Sequence, residues 1–411
     1  VRFGSRRCYA KELHRAGIAV VAVLYHPTHH HSGLPAVIAR HGGWLNASTA
    51  PAFAAYSRHC FAHLGAHVKT WITVNEPGNV RLLDGLRGHD GMAYAAAHNL
   101  LRAHAAAWHI YDSEFRGRYG GRVSIALRAD WAEPANPYAA ADTAAAERAL
   151  VFQTAWFADP IFRTGLYPTE MRAWLEEREA TRLPSFTEQE AGLVRGTGDF
   201  LAVSHFTARL VRHEQRNGTG YEADQEVRSS VDTTWPRSPS GAAIFPQGIR
   251  KALRWIARRY GQSLPIYMMA NGLVDRAALH DDARTYYHQS YINEVLKARD
   301  LDGVNVTAYF AWAFRDRFLP EVGFFSSAQS GSEAKQSAKA LASIVRQRGF
   351  PGGASDAAAS TNSSSSCVPC EFLLQRKPLL AFVAVTLVLV VCFASTAATL
   401  RWCRSGRPPS H

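Results

Sequence analysis

The chain has 411 residues, and 46 Lys and Arg against 34 Asp and Glu give it a formal net charge of +12. Hydrophobic residues make up 47% of the sequence and are spread along it, which excludes intrinsic disorder for most of its length. The basic residues are scattered over amphipathic stretches and form no dense run, so the charge does not indicate a nucleic-acid-binding protein.

Residues 1–351 alternate short apolar runs with longer amphipathic ones. We predict six strands, over residues 18–25, 68–75, 123–129, 200–205, 265–270 and 303–312. Four amphipathic helices are predicted over residues 50–64, 94–115, 250–260 and 284–298. Alternation of this kind indicates parallel strands joined by crossover helices, which is the α/β class.

Polar and aromatic residues directly follow the predicted strands. In α/β barrels the chemistry takes place at the carboxyl ends of the strands. The residues at these ends are His26, Asn75, Glu76, Trp131, Ser204, His205, Ala270, Asn271, Trp312 and Asp316. Aromatic rings beside amides, a histidine and a carboxylate are typical of a sugar-binding site. The alternative interpretation is that these are ordinary residues at the ends of strands.

The histidines at positions 29, 30 and 31, together with His26, suggest a metal site at first sight. They lie in one loop without a fixed ligand spacing or a supporting carboxylate, so a solvated loop is favoured. No metal or other cofactor is therefore predicted. The arginine-rich segment 254–260 is interpreted as a solvated helix face rather than a site for sulfated glycans or anionic lipid.

The end of the sequence predicts a membrane anchor. Residues 352–378 are mostly small and polar and predict a linker. Between Leu379 and Leu400 the chain carries no charged residue, and a helix of this length spans the roughly 30 Å hydrocarbon core of a bilayer. We therefore predict one transmembrane helix over residues 379–400, followed by a cytoplasmic tail over residues 401–411.

Four Asn-x-Ser/Thr sequons lie on the long side of this predicted helix. Asn46, Asn217 and Asn362 stand in polar stretches and are the predicted glycosylation sites. Asn305 stands in an apolar run that predicts a buried strand, so no glycan is expected there. The sequons favour a single-pass type I plasma-membrane protein with an extracellular body. The short tail leaves any signal to a partner.

Ordered blocks of the sequence resemble the retaining β-glycosidases of glycoside hydrolase family 1. WITVNEP at residues 71–77 is similar to the family's T-x-N-E-P motif, and blocks such as GGWLN, WAEP, LPSFTEQE and DFLAVSHFT continue the resemblance through nearly the whole body. The resemblance implies a (β/α)8 TIM barrel. It also implies that the barrel's first two strands precede this chain, which is then an incomplete barrel and a fragment of a longer protein.

The resemblance also implies roles for the residues at the strand ends. Glu76 matches the family's acid/base, while Asn75 and His26 match residues that contact sugar hydroxyls. The nucleophile of the family's I-T-E-N-G block falls on Ala270, because this sequence reads Met-Met-Ala-Asn-Gly. Retaining glycosidases need two carboxylates about 5 Å apart. We therefore expect a pseudoenzyme rather than a working glycosidase.

Other family positions are altered as well. His205 stands where a tyrosine normally steadies the nucleophile, and Leu319 and Pro320 replace the glycone-binding Glu and Trp. The predicted binding residues that remain are His26, Asn75, His205, Asn271 and Trp312.

A glycosidase-like body that lacks its nucleophile and carries a membrane anchor resembles the klotho proteins, above all their membrane-proximal domain. YHPTHHHSGLP, AAHNLLRAHAAAW and ADWAEPANPY fit this group and do not distinguish α-klotho from β-klotho. The resemblance implies a non-catalytic co-receptor for an endocrine fibroblast growth factor and its receptor. The alternative is a membrane-bound β-glycosidase with residual activity, or a carbohydrate-binding protein.

Overall fold

The computed structural model describes residues 3–27, 33–82, 92–178, 182–275, 278–316, 322–326, 332–350 and 388–390. The strands are β1 (Val21–Tyr25), β2 (Thr70–Asn75), β3 (Arg122–Arg128), β4 (Trp131–Pro134), β5 (Leu201–Ser204), β6 (Ala208–His213), β7 (Val227–Ser230), β8 (Ile266–Gly272), β9 (Val306–Trp312) and β10 (Val388–Val390). The helices are α1 (Phe3–Arg15), α2 (Ala36–Arg40), α3 (Thr49–Leu64), α4 (Met92–Ile110), α5 (Arg116–Tyr119), α6 (Ala140–Leu150), α7 (Trp156–Phe162), α8 (Thr169–Glu176), α9 (Glu188–Val194), α10 (Tyr221–Asp224), α11 (Gln247–Tyr260), α12 (Asp282–Asp300) and α13 (Gln336–Gln347).

The main sheet is parallel, and its strands run in the order β10-β1-β2-β3-β5-β8-β9. All six predicted strands are confirmed, and so are the four predicted helices, as α3, α4, α11 and α12. At least one helix lies between each successive pair of the six strands from β1 to β9 along the chain. These helices are the crossovers that parallel neighbours require.

The strands are buried on both faces, which explains their continuous apolar runs. One set of alternate side chains forms a small inner cluster: Val21, Val23, Ile72, Ala126, Phe200, Ala202, Met269 and Phe310. The other set packs against the surrounding helices. There Phe61 of α3 lies edge-on to Trp71 of β2, with 4.9 Å between ring centroids. Polar side chains therefore have little room along the strands and gather at their ends.

A second sheet contains three short strands that the sequence analysis did not predict. β4 pairs in parallel with β6, and β6 pairs antiparallel with β7. Only two residues separate the end of β3 from the start of β4. The sequence pattern therefore predicts one strand followed by a loop and not two strands. Trp131, expected at the strand ends of the main sheet, instead begins β4, and its indole N–H donates to the Glu133 carboxylate.

β10 lies at the outer edge of the main sheet and pairs in parallel with residues 21–23 of β1. These three residues fall inside the transmembrane helix predicted over residues 379–400, so at this point the structure has a strand instead. Two of the three residues, Val388 and Val390, are β-branched and favour an extended backbone, which accounts for the difference. No helix within the described ranges is long and apolar enough to cross a bilayer. The rest of 379–400, the linker 352–378 and the tail 401–411 lie outside the described residues.

A buried ion pair ties α12 to α13. Arg284 and Asp281 have no exposed side-chain surface, and 2.7 Å separates Nη1 from Oδ2. Asp281 also accepts hydrogen bonds from the backbone N–H and the hydroxyl of Ser337, at 2.8 and 2.5 Å. Arg284 donates to the carbonyl of Gly323 at 2.8 Å. One cluster thus holds the two helices and the segment after β9 together.

We predict that Arg284→Met lowers the free energy of unfolding by about 3–5 kcal/mol, because it leaves the Asp281 carboxylate buried without its counter-charge. Urea denaturation followed by circular dichroism measures the change. Glu12→Ala is the matched control, since Glu12 pairs with Arg15 on the exposed surface of α1 and such pairs contribute little. Equal effects of the two substitutions would contradict the prediction.

Candidate functional site

The carboxyl ends of the main-sheet strands form one continuous row. Ser204 of β5 is in register with Arg128 of β3 on one side and with Ala270 of β8 on the other. Trp312 of β9 is in register with Gly272, two residues beyond Ala270. We call the polar group at this edge the strand-end site, defined by His26, Asn75, Glu76, Arg128 and Trp312.

Asn75 and His26 lie in contact within this site. The Asn75 Nδ2 lies 3.2 Å from His26 Nε2, and His26 Nδ1 lies 3.0 Å from the carbonyl of Pro27. Because the amide nitrogen can only donate, His26 Nε2 accepts and the ring proton is on Nδ1. Asn75 keeps its second amide proton and its carbonyl oxygen for other partners. The pair thus presents a fixed arrangement of donors and acceptors.

Glu76 is held in place by its backbone and by two donors. Its backbone N–H donates to the carbonyl of Ala126 at 2.7 Å. Its Oε2 accepts from Asn79 Nδ2 at 3.0 Å and lies 3.5 Å from Arg128 Nη1. The backbone φ of Glu76 is +47°, a left-handed value that costs a non-glycine residue free energy. The carboxylate is 7% exposed, so it is buried but reachable from the strand ends.

Arg128 and Asp130 were not among the residues expected in the site. Arg128 Nε donates to Asp130 Oδ2 at 2.7 Å, and the guanidinium lies 5.1 Å from the centre of the Phe206 ring. The carboxylate of Asp130, followed by that of Glu76, raises the pKa of Arg128 against the effect of burial. The available sequence signal was a pair of opposite charges at the end of a predicted strand, Arg128 within it and Asp130 directly after it.

Asp130 joins the end of β3 to the turn after β5. Its Oδ1 accepts the backbone N–H groups of Phe206 and Thr207, at 2.8 and 3.2 Å. Burial alone raises the pKa of Asp130, but the Arg128 charge and the Phe206 N–H more than offset it and hold the pKa below the ordinary value. Asp130 is therefore a structural carboxylate, committed to these partners.

His205 lies under this turn and is 1% exposed. Its Nδ1 donates to the carbonyl of Ala129 at 2.7 Å, so the lone pair is on Nε2. Burial lowers the pKa of His205, although the nearby Asp130 charge opposes the shift. Nε2 has no hydrogen-bond partner within the described part of the chain. His205 is thus a neutral, buried ring with one unsatisfied acceptor.

Asn271 is completely buried, and its side chain is saturated by the fold. Its Nδ2 donates to the carbonyl of His205 at 2.7 Å and to the hydroxyl of Tyr287 at 2.9 Å. Its Oδ1 accepts from the hydroxyl of Tyr309 at 2.6 Å. Burial raises the pKa of Tyr287 and of Tyr309, which keeps both hydroxyls protonated. We infer that Asn271 positions the end of β8 and does not reach a ligand from this conformation.

The remaining predicted positions complete the edge. Ala270 is partly buried and presents only a methyl group at the end of β8. Trp312 is partly buried and lies edge-on to Phe206, with 5.6 Å between ring centroids. Asp316 is buried and forms a 2.7 Å ion pair with Lys335. Leu319 and Pro320 lie outside the described residues, as do the histidines at 29, 30 and 31.

Two of the predicted glycosylation sites lie on the surface. Asn46 and Asn217 are exposed, and Asn362 lies outside the described residues. Asn305 directly precedes β9 and is partly exposed, while its Nδ2 donates to the carbonyl of Ser263 at 2.9 Å. These sites stay predictions. Within the described ranges no group of three or more His, Cys, Asp or Glu side chains is placed to hold a metal ion.

A family model supports the resemblance seen in the sequence. The model of glycosyl hydrolase family 1 matches residues 7–328. The chain belongs to this family. Among solved family-like structures, β-glucosidase 2 from the fungus Trichoderma reesei is 32% identical, with a TM-score of 0.76 over 84% of this chain and 78% of that chain. Family membership and this likeness support the predicted (β/α)8 type of fold.

Curated relatives within the wider family include klotho proteins. Human klotho is 46% identical over 379 residues, which cover 92% of this chain and 36% of the relative. Mouse beta-klotho is 42% identical over 401 residues, which cover 96% of this chain and 37% of the relative. The family 1 chain described here thus spans little more than a third of the length of these relatives.

We predict that Asp130→Asn makes this family 1 domain less stable by about 2–3 kcal/mol at pH 7, because the partly buried Arg128 guanidinium loses its closest counter-charge. The pKa of Asp130 is lower in the folded chain than its ordinary value near 3.8. Its contribution to the free energy of unfolding is therefore fully present above pH 3.8 and is lost as the pH falls through the lower pKa of the folded state. The variant should therefore show a shallower loss of stability below pH 4. Thermal unfolding midpoints between pH 2 and 7 measure this.

Asp112→Asn is the control for this prediction, because Asp112 is half exposed and pairs with Arg116 on the surface. This substitution should leave the loss of stability below pH 4 unchanged. If the unfolding midpoint of Asp130→Asn fell with pH as steeply as that of the unsubstituted chain, the prediction would be contradicted.

Proposed function

We propose that this chain is a klotho-type, non-catalytic co-receptor that binds an endocrine fibroblast growth factor at the strand-end site. The observation that carries the proposal is Ala270 at the end of β8. By resemblance to family 1, this position corresponds to the one that carries the nucleophilic carboxylate. A methyl group can neither form a glycosyl ester nor stabilise positive charge on the sugar ring.

The partners of Glu76 support the same conclusion. A retaining mechanism needs the acid/base group close to a second carboxylate that is free to attack. Asp130 and Asp316, the other carboxylates named at this edge, are already committed to partners. Asp130 accepts from Arg128 and two backbone N–H groups, and Asp316 is paired with Lys335. Neither can attack without giving up those contacts. Glu76 is thus left as a single carboxylate without a nucleophilic partner.

The strand-end site still has the chemistry to bind a polar segment of a peptide. Asn75, His26 and Glu76 offer an amide, an imidazole and a carboxylate, while Arg128 has a third of its side chain exposed. The rings of Phe206 and Trp312 add an apolar wall. A cleft with aromatic walls and a few fixed polar groups accepts a peptide turn as well as a sugar ring.

The likeness to klotho and beta-klotho supports the choice of partner. The klotho resemblance implies a growth-factor tail in the pocket and a fibroblast growth factor receptor as the signalling subunit. The uncharged, apolar segment 379–400 supports a single-pass type I protein of the plasma membrane. Such a protein passes its signal through a receptor kinase.

Surface plasmon resonance on the full chain in lipid nanodiscs tests the proposal. We predict that an endocrine fibroblast growth factor binds, and that the same factor without its carboxyl-terminal tail does not. Asn75→Ala and Arg128→Ala should each weaken binding about tenfold or more, because each removes hydrogen bonds from a buried site.

Tyr138→Ala is the matched control for surface plasmon resonance, because Tyr138 is 95% exposed and lies in the loop between β4 and α6. It should bind like the unsubstituted chain. Two results would overturn the proposal: no binding of any endocrine factor at micromolar concentration, or equal binding of factors with and without the tail.

A residual β-glycosidase is the second candidate, favoured by the intact group of Glu76, Asn75 and His26. Such an enzyme would need a nucleophile from outside the protein. A small anion in the space beside Ala270 could attack the anomeric carbon while Glu76 protonates the leaving oxygen.

We predict no release of nitrophenol from aryl β-glycosides by the unsubstituted chain, either alone or with molar azide as the external nucleophile. Absorbance of the released nitrophenol measures the reaction. Glu76→Gln is the control for contaminating glycosidase. Turnover that appears with azide and disappears in Glu76→Gln would establish the second candidate and contradict the prediction.

A further inference from the structure

A cavity of about 340 Å³ lies outside the strand-end site, between α12 and the segment before α11. We call it the outer pocket and define it by Trp235, Phe245, Gln247, Tyr286, Asn293 and Glu294. Its volume falls in the range of small-molecule sites in proteins.

The outer pocket is separate from the strand-end site because it uses the other side of α12. Tyr287 and Tyr291 are fully buried and face the main sheet. Tyr286 and Asn293 are seven residues apart, which places both on one stripe of the helix, away from the sheet. Tyr286 is 53% exposed. α12 therefore stands between the outer pocket and the sheet.

The far wall of the pocket is fixed by hydrogen bonds. The backbone N–H of Phe245 donates to the hydroxyl of Tyr291 at 3.0 Å, which ties the wall to α12. The N–H of Ile244 donates to the carbonyl of Pro236 at 2.8 Å. Trp235 stacks on Phe245 with 4.3 Å between ring centroids and an interplanar angle of 18°. The wall is a braced aromatic surface and is formed before a ligand arrives.

The polar groups of the pocket are both donors and acceptors. The amides of Gln247 and Asn293 have no hydrogen-bond partner among the residues that the structure describes. Glu294 is 7% exposed, and its Oε1 accepts from Lys297 Nζ at 2.6 Å. The carboxylate is thus neutralised by an adjacent ammonium group. A pocket with these groups suits a neutral ligand that both donates and accepts hydrogen bonds.

We propose that the outer pocket binds a neutral hexose ring of a saccharide. The apolar C–H face of such a ring packs on Tyr286 or on the braced aromatic wall, and its hydroxyls donate to Glu294 and accept from Asn293 and Gln247. A proline-rich peptide fits the aromatic wall but offers few N–H groups, so it adds few donors to the Glu294 carboxylate beyond the bond from Lys297. The carboxylate therefore favours the saccharide.

Saturation-transfer NMR on the full chain tests this proposal. The chain is held in lipid nanodiscs, because many detergents carry sugar head groups that would compete. The probes are methyl β-glucoside, methyl β-galactoside and methyl α-mannoside at millimolar concentration. At least one probe should receive saturation. Tyr286→Ala and Asn293→Ala should each weaken its binding about fivefold or more, through loss of ring packing and of an amide donor.

Two controls assign the signal to the outer pocket. Asn75→Ala, in the strand-end site, should keep the transfer, and so should Tyr138→Ala, which removes another exposed tyrosine. Thermal unfolding midpoints confirm that each variant is folded.

Three results would overturn the proposal. One is no transfer to any of the three hexosides. Another is transfer that is lost in Asn75→Ala but kept in Tyr286→Ala, which would place the sugar at the strand ends. The last is that a proline-rich decapeptide binds to the chain, that Tyr286→Ala abolishes this binding, and that the hexosides do not bind. The first and third outcomes do not bear on the growth-factor experiment, because that experiment depends on Asn75 and Arg128 instead. The second outcome would place a sugar in the strand-end site, and the surface plasmon resonance experiment with the growth factor then remains a separate test of that site.

Discussion

A parallel sheet that is buried on both faces admits polar side chains mainly at its ends, and the rest of this structure follows from that constraint. The strands are held in register by backbone hydrogen bonds and apolar packing, so their carboxyl ends lie side by side in a row along one edge of the sheet. Every polar residue of the strand-end site is placed by this row. The charge pair of Arg128 and Asp130 then joins the ends of β3 and β5, and Asn271 joins β8 to its neighbours.

The strand ends keep their shape without a nucleophile because other bonds hold them. Asn271 is fixed by Tyr287 and Tyr309, and Asp130 caps the turn after β5. None of these bonds involves the side chain of Ala270. A family 1 domain can therefore lack a carboxylate at this position and still hold its strand ends in place, which separates the stability of the fold from the chemistry of the site.

The sequence was sufficient for features that depend on local pattern. Six strands followed from apolar runs, and Asn75, Glu76 and His26 followed from their place directly after strands. Arg128 and Asp130 were missed because their importance comes from partners on other strands. The complete burial of Asn271 depends on tyrosines of α12 and β9, which no local pattern indicates. β4, β6 and β7 were missed because most of their residues are partly or fully exposed, so they lack the continuous apolar run that marks the strands of the main sheet.

The left-handed backbone of Glu76 has a consequence for what the site can become. A glycine at this position would adopt the same φ without strain, but it would also lose the contacts of the carboxylate with Asn79 and Arg128 and increase the conformational freedom of the unfolded chain. The strained backbone is therefore maintained by the contacts of the side chain that it presents. Removing Asn79 or Arg128 would leave the strain at this single position less compensated.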